Sequence, residues 1–424
     1  MNLSEAQNTI EFAVAKLGDG ALTEAAIVEH IHPLFSRVLE RNGRSGEIYL
    51  ANHSLGRPLD MVAQVVQGAL DGWYTELDGV WGSWLAAREM YRSQVAGLLN
   101  WGDAKGIVPK TSAAQGLRAV INSLPSSYPK IVSSRCEFDS IDFVLKGYAH
   151  KARAAVRWVE PDEHDLLRVD DIIDAIDEST DLVVVSGVCF VTGQLVQGLD
   201  RLIKHAHTHG CLVLLDTYHA MGVLDLDYLA LGADFLIGGN YKYTRGGAGA
   251  CFLAVNPRHL NPAGGVPERD AVFPIDTGWF AKQDPFAYKR SDDPAYAHGG
   301  DAWLEATPPI LTYYQSLPGL MLTSSIGVDR LRAYSLEQQA LLARTLEEHG
   351  TTPRLLEHRG AYLLVEHDDG RTAMTELKQA GINVDARPLP RSGRWVIRFC
   401  PDILNTRDEL VESARRVGGV LGSG

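Results

Sequence analysis

A lysine, Lys242, sits in the stretch GGNYKYTRGGAGACFLAV (238–255), between Tyr241 and Tyr243 and with glycines on both sides. Upstream, Asp216 closes the apolar run CLVLLD (211–216) and is followed by Thr217, Tyr218 and His219. An amine condenses with a carbonyl to a Schiff base, and a carboxylate keeps a pyridine nitrogen protonated. A lysine and an acid brought to one cleft therefore suit pyridoxal 5'-phosphate. The phosphate of such a cofactor is held by hydroxyls and free backbone N–H groups at a helix N-terminus. Thr111 and Ser112, in IVPKTSAAQGLRAVI (107–121), stand where a helix is expected to begin. Singly, each of these residues is ordinary: a lysine in a turn is usually solvated, and a Ser or Thr cap is usually structural. It is their combination that points to chemistry.

Hydrophobic periodicity shows which elements must position them. DLVVVSGV (181–188), CLVLLD, FLIGG (235–239) and CFLAV (251–255) read as buried strands, while LDRLIKHAHTHG (199–210) and DYLALGA (227–233) read as helices. Such alternation predicts a mostly parallel sheet between helices, with ligands at the carboxyl ends of the strands. Asp216 and Asn240 both fall at such ends. From about Asn256 to Asp301 the pattern dissolves into Pro, Gly and charged residues, predicting a long irregular and functional or interfacial region. A helical stretch near 324–348 follows. A separate small α/β unit is then predicted from GAYLLVEH, RTAMTELKQAG, INVDARPL, WVIRFCP and TRDELVESARRVGGVL.

Composition narrows the function classes. The 424 residues are 45% hydrophobic and 22% charged, with a formal net charge of -13, which disfavours nucleic acid or an anionic membrane surface as the main partner. The N-terminal residues lack the pattern of a signal peptide, and no run is long and apolar enough to span a membrane, so a cytoplasmic location is expected. Five scattered cysteines without a C-x-x-C pair read as buried thiols. His205, His207 and His209 lack a completing acid or cysteine, and no metal site is expected.

The sets DTYH and YKY with GGAG resemble the fold-type I, class V group of pyridoxal-phosphate enzymes and, within it, the kynureninases. IYLANHSLG (48–56) is similar to the group's entry segment ending in N-S-L-G, with His53 where Asn is usual. EFDSIDF (137–143) resembles the block that lays an aromatic over the cofactor ring, implying Phe138 there and Ser140 near the phosphate. VCFVTG (188–193) is similar to V-N-Y-K-T-G, with Cys189, Phe190 and Val191 replacing N-Y-K. TGWF (277–280) resembles S-G-W-F, implying a phosphate contact from Trp279. EATPPIL (305–311) implies another from Thr307, often across a dimer interface. IRFCPDILNTRDEL (397–410) resembles the ending whose arginine takes the substrate carboxylate, here Arg398.

The resemblance implies a helical segment (1–47) packing on the small domain, a large cofactor-binding domain (48–320) and a small C-terminal α/β domain (321–424). It also implies a homodimer with shared sites acting on a small amino acid. Lys242 would carry the cofactor and move the substrate's α-proton, Asp216 would pair with the ring nitrogen, and Tyr241 would be a catalytic acid that also contacts the phosphate. His219 would lie beside the cofactor, and Ser54 and Arg398 would bind substrate. The implied reaction is hydrolysis of the Cβ–Cγ bond of L-kynurenine or a related amino acid to alanine and anthranilate. Transamination and C–S lysis use the same parts and stay open, and so does a carboxylate contact from Arg387, Arg391 or Arg394. A binding-only role is disfavoured, because the lysine, the acid and the arginine are all present.

Overall fold

A computed structural model describes residues 1–422 apart from 262–263, 269–270, 288–289 and 291. Its centre is a seven-stranded sheet built from β1 (Ile107–Lys110), β2 (Lys130–Ser134), β3 (Ala155–Val159), β4 (Leu182–Ser186), β5 (Leu212–Asp216), β6 (Phe235–Gly239) and β7 (Cys251–Val255). The spatial order is β1-β7-β6-β5-β4-β2-β3. Every pairing from β6 through β3 is parallel, and only β7 runs antiparallel to its neighbours. The sheet is thus mostly parallel, as the alternating pattern predicts.

β4 is buried throughout and β5 nearly so, because helices cover both faces of the sheet; such strands read as unbroken apolar runs. Side chains still alternate between two cores. Val183, Val185, Val213 and Leu215 join the core that also takes the N-terminal helix Leu3–Ala15. Leu182, Val184 and Leu214 join the opposite one, with Phe235 and Trp303.

The C-terminal unit has its own core, around Leu342, Leu363, Ile397 and Leu410. Its antiparallel sheet comprises β8 (Pro353–Arg354), β9 (Leu363–His367), β10 (Asp385–Pro388) and β11 (Trp395–Phe399), in the order β10-β11-β9-β8. INVDARPL, read as one strand, divides in two. Ile382–Asn383 pairs in parallel with Ile48–Tyr49, while β10 pairs with β11. Ile48 and Leu50 accordingly belong to the C-terminal core. Leu3–Ala15 lies mainly against the helix Ile310–Ile326, within which residue 320 falls, whereas Glu24 and His32 bond to Arg407 and Ile403 of the C-terminal unit. The helical stretch near 324–348 is two helices, Ile310–Ile326 and Val328–Glu348, parted at Gly327, whose φ of 96° suits only glycine. Among the described residues, no helix is long and apolar enough to cross a membrane, and no group of His, Cys, Asp or Glu could hold a metal ion.

Candidate active site

Eight of the ten residues expected at the cofactor line one cavity of about 180 Å³: Thr111, Ser112, Phe138, Ser140, Asp216, His219, Tyr241 and Lys242. Asp216 is the last residue of β5, in register with Ser186 of β4. Its carboxylate accepts from the Tyr218 N–H at 2.7 Å. Burial raises its pKa to about 6, against the pull of that N–H and of Lys242. Lys242 stands in the turn between β6 and β7, 5% exposed. Burial lowers its amine to about 7, opposed by Asp216 and reinforced by Arg398. An amine so placed is half neutral near pH 7 and able to act as a nucleophile or a base.

Glycine makes this turn possible. The N–H of Gly56 donates to the Tyr241 carbonyl at 2.8 Å, and a Cβ at Gly56 would collide with the Lys242 carbonyl oxygen. Only glycine lets the entry segment close on the lysine turn. Gly239 likewise admits the Tyr218 ring, which a Cβ would strike. Aromatic faces then surround the amine: Nζ lies 4.9 Å from the centroid of Tyr218, 5.4 Å from Phe138 and 5.7 Å from Tyr241. His219 Nε2 bonds directly to Lys242 Nζ.

At another part of the cavity wall the helix Ala113–Ser123 begins. Ser112 is its N-cap, the hydroxyl accepting from the Gln115 N–H at 3.1 Å, and Ala113 and Ala114 of the first turn also line the cavity. The positive end of the helix, with the hydroxyls of Thr111, Ser112 and Ser140, makes a phosphate cradle. A buried acid, an amine of lowered pKa and an aromatic ring, Phe138, complete the donor set, so these residues fit pyridoxal phosphate.

Arg398 and Ser54 lie outside this cavity. Arg398, 3% exposed, donates from Nη1 to the carbonyl of Phe190, whose side chain lines the cavity. Its Nε donates to Asp385 Oδ1 at 2.8 Å and its Nη2 to Asp385 Oδ2. Asp385 also accepts from Ser54 Oγ at 2.5 Å and from His53 Nε2 at 2.7 Å. Burial pushes His53 down to about 4, and Arg398 adds to that, so the ring is neutral at pH 7. Burial alone would raise the Asp385 carboxyl, but His53 and Arg398 hold it far below the usual range.

Other assignments separate. Trp279 packs in an aromatic cluster with Trp81, Phe280 and Phe286, and Thr307 is exposed in the turn before Ile310–Ile326. Neither lines the Lys242 cavity of its own chain. Arg391 bonds to the Pro161 carbonyl and Arg394 pairs with Glu366, both away from the cavity. Arg387 Nη2 is 3.8 Å from Asp385.

Two acidic residues were given no role from the sequence. Asp385 sits unremarkably in a short strand, and only its partners reveal it. Glu137, 4% exposed, accepts from Ser134 Oγ at 2.6 Å and from Ser186 Oγ at 2.5 Å. Burial raises its carboxyl to about 7 despite those hydroxyls, with Asp216 adding repulsion. An acid directly before Phe138 was the available signal. All five cysteines are free and buried.

Residues 83–386 match the Aminotransferase class-V family. The chain is 26% identical over 397 residues to the kynureninase of Bacillus anthracis, covering 87% of each, and 27% identical over 395 residues to that of Pseudomonas fluorescens, covering 89% of each. Among solved structures it resembles the cystine C-S lyase C-DES (TM-score 0.76, 18% identity, 89% of this chain and 99% of that one). It also resembles the cysteine desulfurase CsdA from Escherichia coli (TM-score 0.72, 18% identity, 89% and 95%). At those identities the two structures speak to fold alone, and it is the fold observed here. With the family match spanning the whole seven-stranded sheet and the whole lysine cavity, the chain belongs to the class V aminotransferases, as a kynureninase-like member of the fold-type I pyridoxal-phosphate enzymes.

Proposed function

We propose that the chain hydrolyses the Cβ–Cγ bond of an L-amino acid with an aryl ketone at Cγ, of the kynurenine type, giving L-alanine and an aryl carboxylic acid such as anthranilate. The observation that carries this reading is similarity to kynureninases along nearly the whole of both chains. Water supplies hydroxyl to Cγ and hydrogen to Cβ, so atoms balance without an oxidant.

Pyridoxal phosphate supplies an electron sink for the carbanion formed at the substrate's α-carbon. The protein's residues do the rest. Lys242, poised near neutrality, anchors the cofactor and takes the α-proton on Nζ. Asp216 keeps a proton on the ring nitrogen. Thr111, Ser112 and Ser140 hold the phosphate at the helix N-terminus, and Phe138 covers the ring. His219 keeps the amine in place, Arg398 and Ser54 serve the α-carboxylate end, and Tyr241 delivers the proton that Cβ requires. Trp279 and Thr307 lie off the cavity of their own chain and complete the site of a second copy, which makes the working form a homodimer.

The test is release of anthranilate from L-kynurenine by the purified holoenzyme, followed by fluorescence, with the visible band of the bound cofactor as a separate readout. Lys242→Ala removes both band and activity, the latter by a factor of about 10² to 10⁴ or more. A band without anthranilate refutes the hydrolytic reading, and keto-acid or sulfide formation from other amino acids then identifies a transaminase or a C–S lyase.

A further inference from the structure

We propose that Asp385 is the positioning residue of the carboxylate receptor: it occupies the Nε–Nη2 edge of Arg398 so that the α-carboxylate of an amino-acid substrate meets only the guanidinium's remaining N–H bonds. The inference rests on reading Arg398 as the residue that takes that carboxylate.

A guanidinium has five N–H bonds. Two, from Nε and Nη2, go to Asp385, and one from Nη1 goes to the Phe190 carbonyl. Two are left by these partners, one on each terminal nitrogen, with the Tyr362 hydroxyl also reaching the guanidinium. The planar group is thus fixed by three bonds, with Tyr362 and Phe190 rings 5.7 and 6.0 Å from its central carbon. Fixing the plane in advance lets a bidentate partner bind without first ordering a long side chain.

Asp385 is itself held too firmly to swing away. Its two oxygens accept from four side-chain donors: Arg398 Nε and Nη2, His53 Nε2 and Ser54 Oγ. Breaking this set would leave a buried cation and a buried imidazole without partners. Arg398, at 3% exposure, also needs a counter-charge whenever no substrate is bound, and Asp385 provides it. Substrate therefore joins a receptor already neutralised, with Arg387, 3.8 Å from Asp385 and 40% exposed, as the nearby cation that offsets a second carboxylate.

The experiment measures L-alanine binding to the holoenzyme through the visible absorbance change, with L-alaninamide as the probe that lacks the carboxylate. Asp385→Asn is expected to weaken L-alanine about tenfold, the worth of a charge-assisted hydrogen bond or less, leaving L-alaninamide and cofactor affinity unchanged. Tighter L-alanine binding in this variant would overturn the proposal, because Asp385 would then be a competitor that substrate displaces. Unchanged binding would overturn it as well. Arg398→Lys is measured alongside: if it leaves L-alanine binding intact, the reading of Arg398 fails, whereas a weakened Arg398→Lys beside an unaffected Asp385→Asn refutes this inference alone. Should Asp385→Asn not fold, Asp385→Glu keeps the charge but shifts the oxygens that hold Arg398, and a smaller loss of the same carboxylate-dependent kind is expected; none would refute the proposal.

Discussion

The hydroxyl of Tyr243 lies 2.9 Å from His219 Nδ1, on the side of the ring opposite Lys242. Burial, with Lys242 adding repulsion, holds His219 neutral, so its ring carries one proton; we assign that proton to Nε2, facing the amine, with the Tyr243 hydroxyl donating to Nδ1. In cofactor-free protein, the rate at which added pyridoxal phosphate develops the visible band should rise with pH around a midpoint of about 7. Tyr243→Phe frees the other tautomer, whose bare Nε2 favours the ammonium form, so the midpoint moves upward. An unmoved midpoint would refute the tautomer assignment.

Glu137 gives a second pH dependence. Its folded pKa of about 7 lies above the ordinary 4.5, so the native state binds the extra proton between those values and stability falls as pH rises through them. The gap corresponds to roughly 3 kcal/mol at most. Glu137→Gln removes the titration. Compared by urea unfolding, the variant should gain on the wild type between pH 5 and pH 8; a pH-independent difference would show that Glu137 does not titrate in this range.

Asp402 draws the lysine turn to the C-terminal unit. It pairs with Arg245 at 2.6 Å and with Arg57, both buried. Burial alone would raise its carboxyl, but the two arginines keep it low. Asp402→Ala strands two buried guanidiniums and should cost about 3–5 kcal/mol of stability. A loss below about 1 kcal/mol would mean that water reaches this pair and that it behaves as a surface ion pair.

Subunit mixing tests the positions of Trp279 and Thr307. A Lys242→Ala chain and a Trp279→Ala, Thr307→Ala chain should each be inactive, yet refolding them together should restore activity, because one site of the mixed dimer carries neither defect. If each chain completes its own site, mixing restores nothing.

Much of this was legible in the sequence because it is local. Asp216 announces itself by ending an apolar strand, Lys242 by its glycines, and Ser112 by standing before a helical run. Ile310–Ile326 was less legible: it is buried on almost every face, so its helix shows no 3.6-residue period, and it carries Pro318 in its interior. Asp385 was invisible for a different reason. Its significance comes from His53, Ser54 and Arg398, whose approach only tertiary structure sets.

That approach has a consequence for how the site comes into being. The bonds His53–Asp385, Asn52–Cys400 and Arg57–Asp402 join residues 332, 348 and 345 positions apart. Contacts of such high order carry a large loop-closure cost and form late. During synthesis, segment 48–57 must wait until residues 385–402 have emerged before it meets its partners. The carboxylate receptor is therefore absent from every shorter nascent chain, and a truncated product lacking β11 has the lysine turn without the clasp that closes over it.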